Sequence, residues 1–318
     1  MSHTIPTPDS ALKDFFKNNE IFAALFNGYF FNNENIIHGD ELESEDTAYT
    51  ATLKVKNNGK YKFTTEKISK YRDNIRRTSL GYLVILGIED QNKIHYSMPI
   101  RKMLYDVLGY SSELSALGKT EDKAEWTIDE WLSKTKKGTK VTPILTVVFY
   151  TGEDPWDGPK SLHDMMNMDD SIKPFVPDYP LYVIDIGHDK DLSFNNKELT
   201  ELKDILSSIY AKSADENETI IDNSIIALAG ILSGDKRLYL SAIQAKEEKQ
   251  KMCRALEERD AIIFKEKNDL IAEKDILIAD KDAEIADKNA EIADKNAEIA
   301  DKNAEIEELK KQLAELRK

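Results

Sequence analysis

Apolar residues near the start fall at Leu12, Phe15, Phe16, Phe22, Leu25, Phe26 and Tyr29. That spacing is close to a helical face and predicts one or two amphipathic helices over residues 10–31, with Asp9 or Ser10 as the cap. Residues 32–45 are polar and read as a loop. From residue 66 to residue 94 the pattern becomes strand-like. A polar run through Asp73, a Ser79-Leu80-Gly81 turn and an apolar run over residues 82–88 together predict a hairpin. Residues 95–99 form a connector. A helix over residues 99–114 follows, with Pro99 suited to its first turn and Ile100, Leu104, Val107 and Leu108 as its apolar face. Residues 118–140 are charged, carry Trp126 and Trp131, and predict only a partly ordered excursion. The stretch VTPILTVVFY over residues 141–150 reads as a strand buried on both faces, and LYVIDI over residues 181–186 as a second. Between them, residues 154–180 are rich in Gly, Pro and Asp and loop-like. Residues 198–244 are mostly helical. Strands and helices interleave, so the fold class is α/β.

Beyond residue 245 the pattern changes, dividing the chain into 1–245 and 246–318. The unit NAEIADK starts at Asn289 and again at Asn296, preceded by DAEIADK at Asp282 and followed by NAEIEEL at Asn303. Ile278, Ile285, Ile292, Ile299, Ile306 and Leu313 recur every seventh residue, which is coiled-coil periodicity. With these at a, Leu309 and Leu316 complete the last two heptads at d, while Lys288, Lys295 and Lys302 occupy the earlier d positions. In the competing register, Asn289, Asn296 and Asn303 sit at a, a choice that favours two parallel strands at a cost in stability. Either register fills half of an apolar seam, so a coiled-coil dimer and a solvated single helix with i,i+4 ion pairs both stay open. Such a helix would be roughly 95 Å long at ~1.5 Å per residue.

Composition narrows the function. The chain has 318 residues, 41% hydrophobic and 32% charged. No run of ~20 apolar residues predicts a membrane span, and the start carries no basic-then-apolar leader. A single cysteine, Cys253, rules out an internal disulfide and cysteine-rich zinc sites and fits a cytoplasmic location. The net charge of −15 excludes a protein that grips DNA through a broadly basic surface, so any nucleic-acid contact is local or metal-assisted.

The candidate chemistry lies in YRDNIRRTSLGYLVILGIEDQ, residues 71–91. Alternation along a strand points Glu89 and Gln91 the same way, and a hairpin brings Asp73 back beside them. Two carboxylates and an amide at the open end of a sheet are hard oxygen donors suited to a divalent metal. This segment, together with MPIRKMLYDVLGY and FYTG…WDGP, resembles the Rpn family of bacterial recombination-promoting nucleases and YhgA-like transposases, within the PD-(D/E)XK nuclease superfamily. The resemblance covers about residues 10–245. It implies a restriction-endonuclease-like core, a mixed sheet flanked by helices, followed here by the long helix.

It also implies roles. Asp73 matches the metal-binding aspartate, Glu89 the acidic residue of the second half-motif, and the backbone carbonyl of Asp90 a further ligand to Mg²⁺. Gln91 stands where most members carry lysine; it can orient water but lends no positive charge. Arg101 and Tyr105, four apart on the next helix, could touch phosphate. Asp14 or Glu20 could add a carboxylate. His95, Trp156 and Asp157 read as turn and core residues. The implied activity is metal-dependent hydrolysis of DNA phosphodiesters in recombination, mobile-element biology or defence, by a dimer held through the tail. The competing reading is a catalytically silent DNA- or protein-binding module assembled by its coiled coil.

Overall fold

The computed structural model describes residues 5–44, 50–57, 60–67, 74–87, 94–120, 123–211 and 219–316. The chain divides into two compact units, Met1–Glu258 and Arg259–Lys318. In the first, α1 (Pro8–Phe15) and α2 (Asn19–Phe31) are separate helices, each with its own cap. The cap of α1 is Thr7, not Asp9 or Ser10: its hydroxyl accepts from Ser10 N at 3.3 Å, and Pro8 fills the first turn. Asn18 caps α2, accepting from Glu20 N. Asn32, with φ at 49°, ends that helix in the left-handed conformation asparagine tolerates.

Strand β1 (Glu43–Ser44) follows, then β2 (Thr50–Asn57) and β3 (Lys60–Lys67), a hairpin of its own in the register Asn57↔Lys60. In sequence, Asn58-Gly59 stands between the two strands, a strong two-residue turn signal.

The predicted hairpin is formed by β4 (Asn74–Thr78) and β5 (Gly81–Gly87), paired antiparallel from Asn74↔Ile85 to Thr78↔Gly81. Helix α3 (Met98–Thr120) and the short α4 (Ile128–Ser133) precede β6 (Ile144–Tyr150) and β7 (Tyr182–Asp185). One mixed sheet results, ordered β1-β4-β5-β6-β7; β1, β4 and β5 pair antiparallel, while β5, β6 and β7 run parallel.

Both faces of this sheet are covered, which is why β6 reads as a nearly continuous apolar run. Leu83, Ile85, Val147, Phe149 and Ile184 face α1, α2, α5 (Lys197–Ala211) and α6 (Asn223–Leu232), where Phe16 meets Phe149 edge-on at 5.1 Å. Val84, Val148, Tyr150 and Val183 face the other way, toward Met98 and Tyr105 of α3 and Trp156. The unit closes with α7 (Lys236–Gln244), the antiparallel pair β8 (Ile220–Asp222) and β9 (Lys249–Lys251), and the first turn of α8 (Met252–Leu316). Met252, Ala255 and Leu256 are buried in the same core.

Two expectations are corrected. Of the apolar face expected on α3 only Leu108 packs against the sheet; Ile100, Leu104 and Val107 are 44%, 45% and 54% exposed. Met98, Lys102, Tyr105 and Asp106 are the buried residues instead. Lys102 and Asp106 can be inside because they satisfy each other at 3.1 Å, and Asp106 also accepts from Thr146 Oγ1 (2.8 Å) and Tyr179 Oη (2.7 Å). Residues 123–140 are also more ordered than expected. Thr127 and Glu130 form a reciprocal capping box at the start of α4, and Trp126 packs edge-on against Trp131 at 5.8 Å.

In the second unit α8 is a continuous helix. Glu284–Lys288, Glu291–Lys295 and Glu298–Lys302 pair at i,i+4 within 2.7–2.9 Å. The isoleucines at 278, 285, 292 and 299 are 55–58% exposed.

Candidate active site

The sheet sets the geometry of the candidate site. Gly87 is level with Phe149, and Tyr150 with Asp185, so β5, β6 and β7 end at one edge. Strand β4 runs the opposite way and starts at this edge, at Asn74 opposite Ile85. The chain therefore enters β4 directly after Asp73 and leaves β5 two residues before Glu89 on the same side of the sheet. Asp73, Glu89, Asp90 and Gln91 themselves lie outside the described residues. Among the described residues no group of three or more His, Cys, Asp or Glu side chains could hold a metal ion.

Of the other predicted residues, Arg101 and Tyr105 do meet. Arg101 Nε and Nη2 each lie 3.3 Å from Tyr105 Oη, so the guanidinium is held against a buried phenol rather than swinging free. Near the start of α3, His95 Nδ1 is 3.1 Å from Ser97 Oγ. Burial, and then the Arg101 charge, hold the His95 pKa below its ordinary value. Asp14 is exposed and paired with Lys17 at 2.5 Å, a helix-surface contact.

Residues not singled out in the sequence shape the same edge. Asp185, the last residue of β7, accepts from Trp156 N at 2.9 Å and binds His188 Nδ1 at 2.8 Å. His188 Nε2 reaches the Glu153 carbonyl at 2.9 Å, and its ring stacks on Tyr210. Tyr150 donates to the Asp154 carbonyl at 2.7 Å. Burial, reinforced by Asp185 and Asp154, pushes its pKa up to about 12, so it remains a neutral donor. Trp156 is buried, and Asp157 accepts from Tyr96 Oη at 3.2 Å, in keeping with their reading as turn and core residues. Together these contacts fasten the segment after β6 down over the strand ends. The signal for Asp185 was its place as the lone acid within the apolar run LYVIDI.

Residues 70–229, half of the chain, match the family model described as "Putative transposase, YhgA-like". The chain belongs to this family. No curated protein and no solved structure matches it. The YhgA-like match spans β4 to β7 with α3, α4 and α5, and so includes the whole edge just described, while α8 lies outside it. Membership brings a transposase- or nuclease-related role at a coarse level. No helix among the described residues is long and apolar enough to cross a membrane.

Proposed function

We propose that this YhgA-like chain is a metal-dependent DNA endonuclease with a PD-(D/E)XK-like core whose site lies at the C-terminal edge of β5, β6 and β7. One observation carries the reading: the strands adjoining Asp73 and Glu89 begin and end at the same edge. In open α/β sheets ligands bind at the carboxyl ends of parallel strands.

The donor set suits Mg²⁺, since Asp73, Glu89 and the Asp90 carbonyl are hard oxygens and Mg²⁺ needs few protein ligands. When bound, the ion supplies charge neutralisation at the phosphate and a more acidic water. Gln91 orients the attacking water by hydrogen bonding. It contributes no charge, so the hydrolysis is slow compared with a lysine-bearing site. Arg101, steadied by Tyr105, is positioned to meet a phosphate oxygen.

The tail supports a second part of the reading. The exposed isoleucines recurring along α8 form a stripe that a second copy of the same helix can cover, giving a coiled-coil dimer that presents two sites to one DNA.

Purified protein is incubated with supercoiled plasmid and Mg²⁺ beside Asp73→Ala and Glu89→Ala. Nicking by wild-type alone, abolished by EDTA, is the expected result. Equal nicking by all three refutes the assignment, and no nicking by any favours a silent DNA-binding module.

A further inference from the structure

A second feature of this domain lies away from the sheet edge. Between the C-terminal half of α3 and the segment around α4 is a cleft of about 530 Å³. Its lining includes Trp126, Trp131, Lys119, Lys123, Lys134 and Ser115, and no carboxylate among the described residues. On a chain of net charge −15, the described lining of this cleft gathers three lysines.

The cleft is a built feature. Gly118 lets α3 approach the end of α4, because a Cβ there would stand 2.9 Å from the Lys134 carbonyl. Lys134 itself turns the chain in the left-handed conformation, with φ at 56°. Glu130 ties the far side by accepting from Lys137 N at 2.8 Å as well as from Thr127. Trp126 is buried as the foundation, while Trp131 is 55% exposed and packs against it. Lys123 Nζ lies over the Trp126 and Trp131 rings, 5.3 Å and 5.8 Å from their centroids, so a positive charge and an exposed indole share one wall of the cleft.

A ligand matching this lining must offer a flat ring and an anion a few ångströms apart. A nucleotide does so, with its base for the indole and its phosphate for the lysines. An acidic peptide would satisfy the lysines and leave Trp131 bare. Base stacking on an aromatic side chain beside a basic track is how unpaired strands are held without sequence preference. Duplex DNA does not present its base faces in this way. From Arg101 to Ser115 along α3 is roughly 20 Å at ~1.5 Å per residue. That span corresponds to about six nucleotides at ~3.4 Å per nucleotide of a stacked strand.

We propose that this cleft binds a nucleotide of single-stranded DNA, its base stacked on Trp131 and its phosphates on Lys119, Lys123 and Lys134, about six nucleotides from the sheet edge. The inference deepens the DNA-directed reading and rests on it. The cleft holds an unpaired flank or displaced strand, so the preferred substrate carries a single-stranded segment next to the scissile bond.

The test is binding of a labelled oligothymidine of about 12 nucleotides to the full chain in EDTA, where no cleavage occurs, followed by anisotropy and tryptophan quenching. Trp131→Ala should weaken binding ~10-fold, within the usual effect of removing one stacked base, and Trp131→Phe should restore most of it. The exposure of Trp131 makes loss of the fold an unsuitable explanation, and circular dichroism of each variant checks this. Lys123→Ala with Lys134→Ala should reduce the salt slope by about 1.4, at ~0.7 per phosphate contact on a single strand.

The nucleotide dTMP alone should compete poorly; competition as strong as the oligonucleotide's makes the occupant a free nucleotide and overturns the strand assignment. Oligoglutamate or blunt duplex bound as tightly as the oligothymidine also overturns the proposal, as does wild-type affinity in Trp131→Ala. Because binding is read in EDTA, the two readings fail separately. Loss of binding in Trp131→Ala alongside undiminished nicking by Asp73→Ala removes the catalytic site and leaves the cleft. The converse pattern removes the cleft alone.

Discussion

Replacing Asp106 with alanine should destabilise the first unit far more than any change on the apolar stripe of the same helix. Asp106 is 1% exposed, and its carboxylate is the acceptor for Lys102, Thr146 and Tyr179. Removing it strands the Lys102 ammonium, which is 5% exposed and otherwise lies over the Tyr179 ring at 4.3 Å. Breaking one side of a buried ion pair costs about 3–5 kcal/mol, because the remaining charge stays out of water without its partner. In a domain of this size each kcal/mol lowers Tm by about 2–4 °C, so the melting point should fall by about 10 °C. The double variant Lys102→Met with Asp106→Leu removes both charges and strands neither, so it should be more stable than Asp106→Ala, with a residual cost of about 1–3 kcal/mol because the Thr146 and Tyr179 hydroxyls lose their acceptor. Leu104→Glu, on the exposed stripe, should change stability by no more than about 0.5 kcal/mol. Urea unfolding followed by tryptophan emission measures all three. A cost for Asp106→Ala below about 1 kcal/mol, or a Leu104→Glu cost equal to it, would falsify the assignment of the ion pair to the inside of α3.

Gly81 opens β5 with φ at 143°, and a Cβ there would stand 2.4 Å from the Pro143 carbonyl, to which Tyr82 N also donates at 2.8 Å. Gly81→Ala should therefore lose about 1–3 kcal/mol in a denaturant titration; a neutral result would contradict the strained turn. Glu130, accepting from Thr127 and Lys137, has its pKa lowered from 4.5 to about 2. A depressed carboxylate pKa adds stability that is complete above the unfolded value and is lost as pH falls through the folded one. The tryptophan emission of the α4 region should consequently change between about pH 4.5 and about pH 2, and Glu130→Ala should lack this step. A chain ending after Glu258 keeps β9 and the buried Met252, Ala255 and Leu256, and should remain folded. Light scattering is expected to show it as a monomer and the full chain as a dimer; equal masses would remove the coiled-coil reading.

What could be read from the sequence was what local pattern decides. The turn at Ser79-Leu80 and the apolar runs around Val84, Val147 and Val183 located the four principal strands, because each run is short, β-rich and bounded by turn residues. The orientation of α3 was not legible, since the partners that let Lys102 and Asp106 go inside are Thr146 on β6 and Tyr179 in a distant loop. A stripe of Ile100, Leu104 and Val107 has the spacing of a buried face, yet pattern alone cannot weigh it against a satisfied buried ion pair. The β2–β3 hairpin has a sufficient local signal in the sequence Asn58-Gly59 between its strands.

The candidate edge falls between these cases. Asp73 and Glu89 are candidates from the hairpin pattern and from resemblance to a nuclease half-site, whereas the contacts of Asp185 and His188 depend on β7 lying parallel to β6, a long-range pairing. Parallel order places the ends of β5, β6 and β7 side by side, and the antiparallel β4 returns its own start to them. A sheet wired in this way converges the termini of four separately encoded strands on one edge. Substitutions that weaken the β5–β6 pairing should therefore reduce nicking before they unfold the domain. Val84→Ala offers that test: its side chain is buried on the α3 face, inside β5 rather than at its end, and large-to-small core changes of this kind cost a few kcal/mol. Nicking that falls while far-ultraviolet dichroism is retained supports the shared edge, and activity that tracks only the folded fraction refutes it.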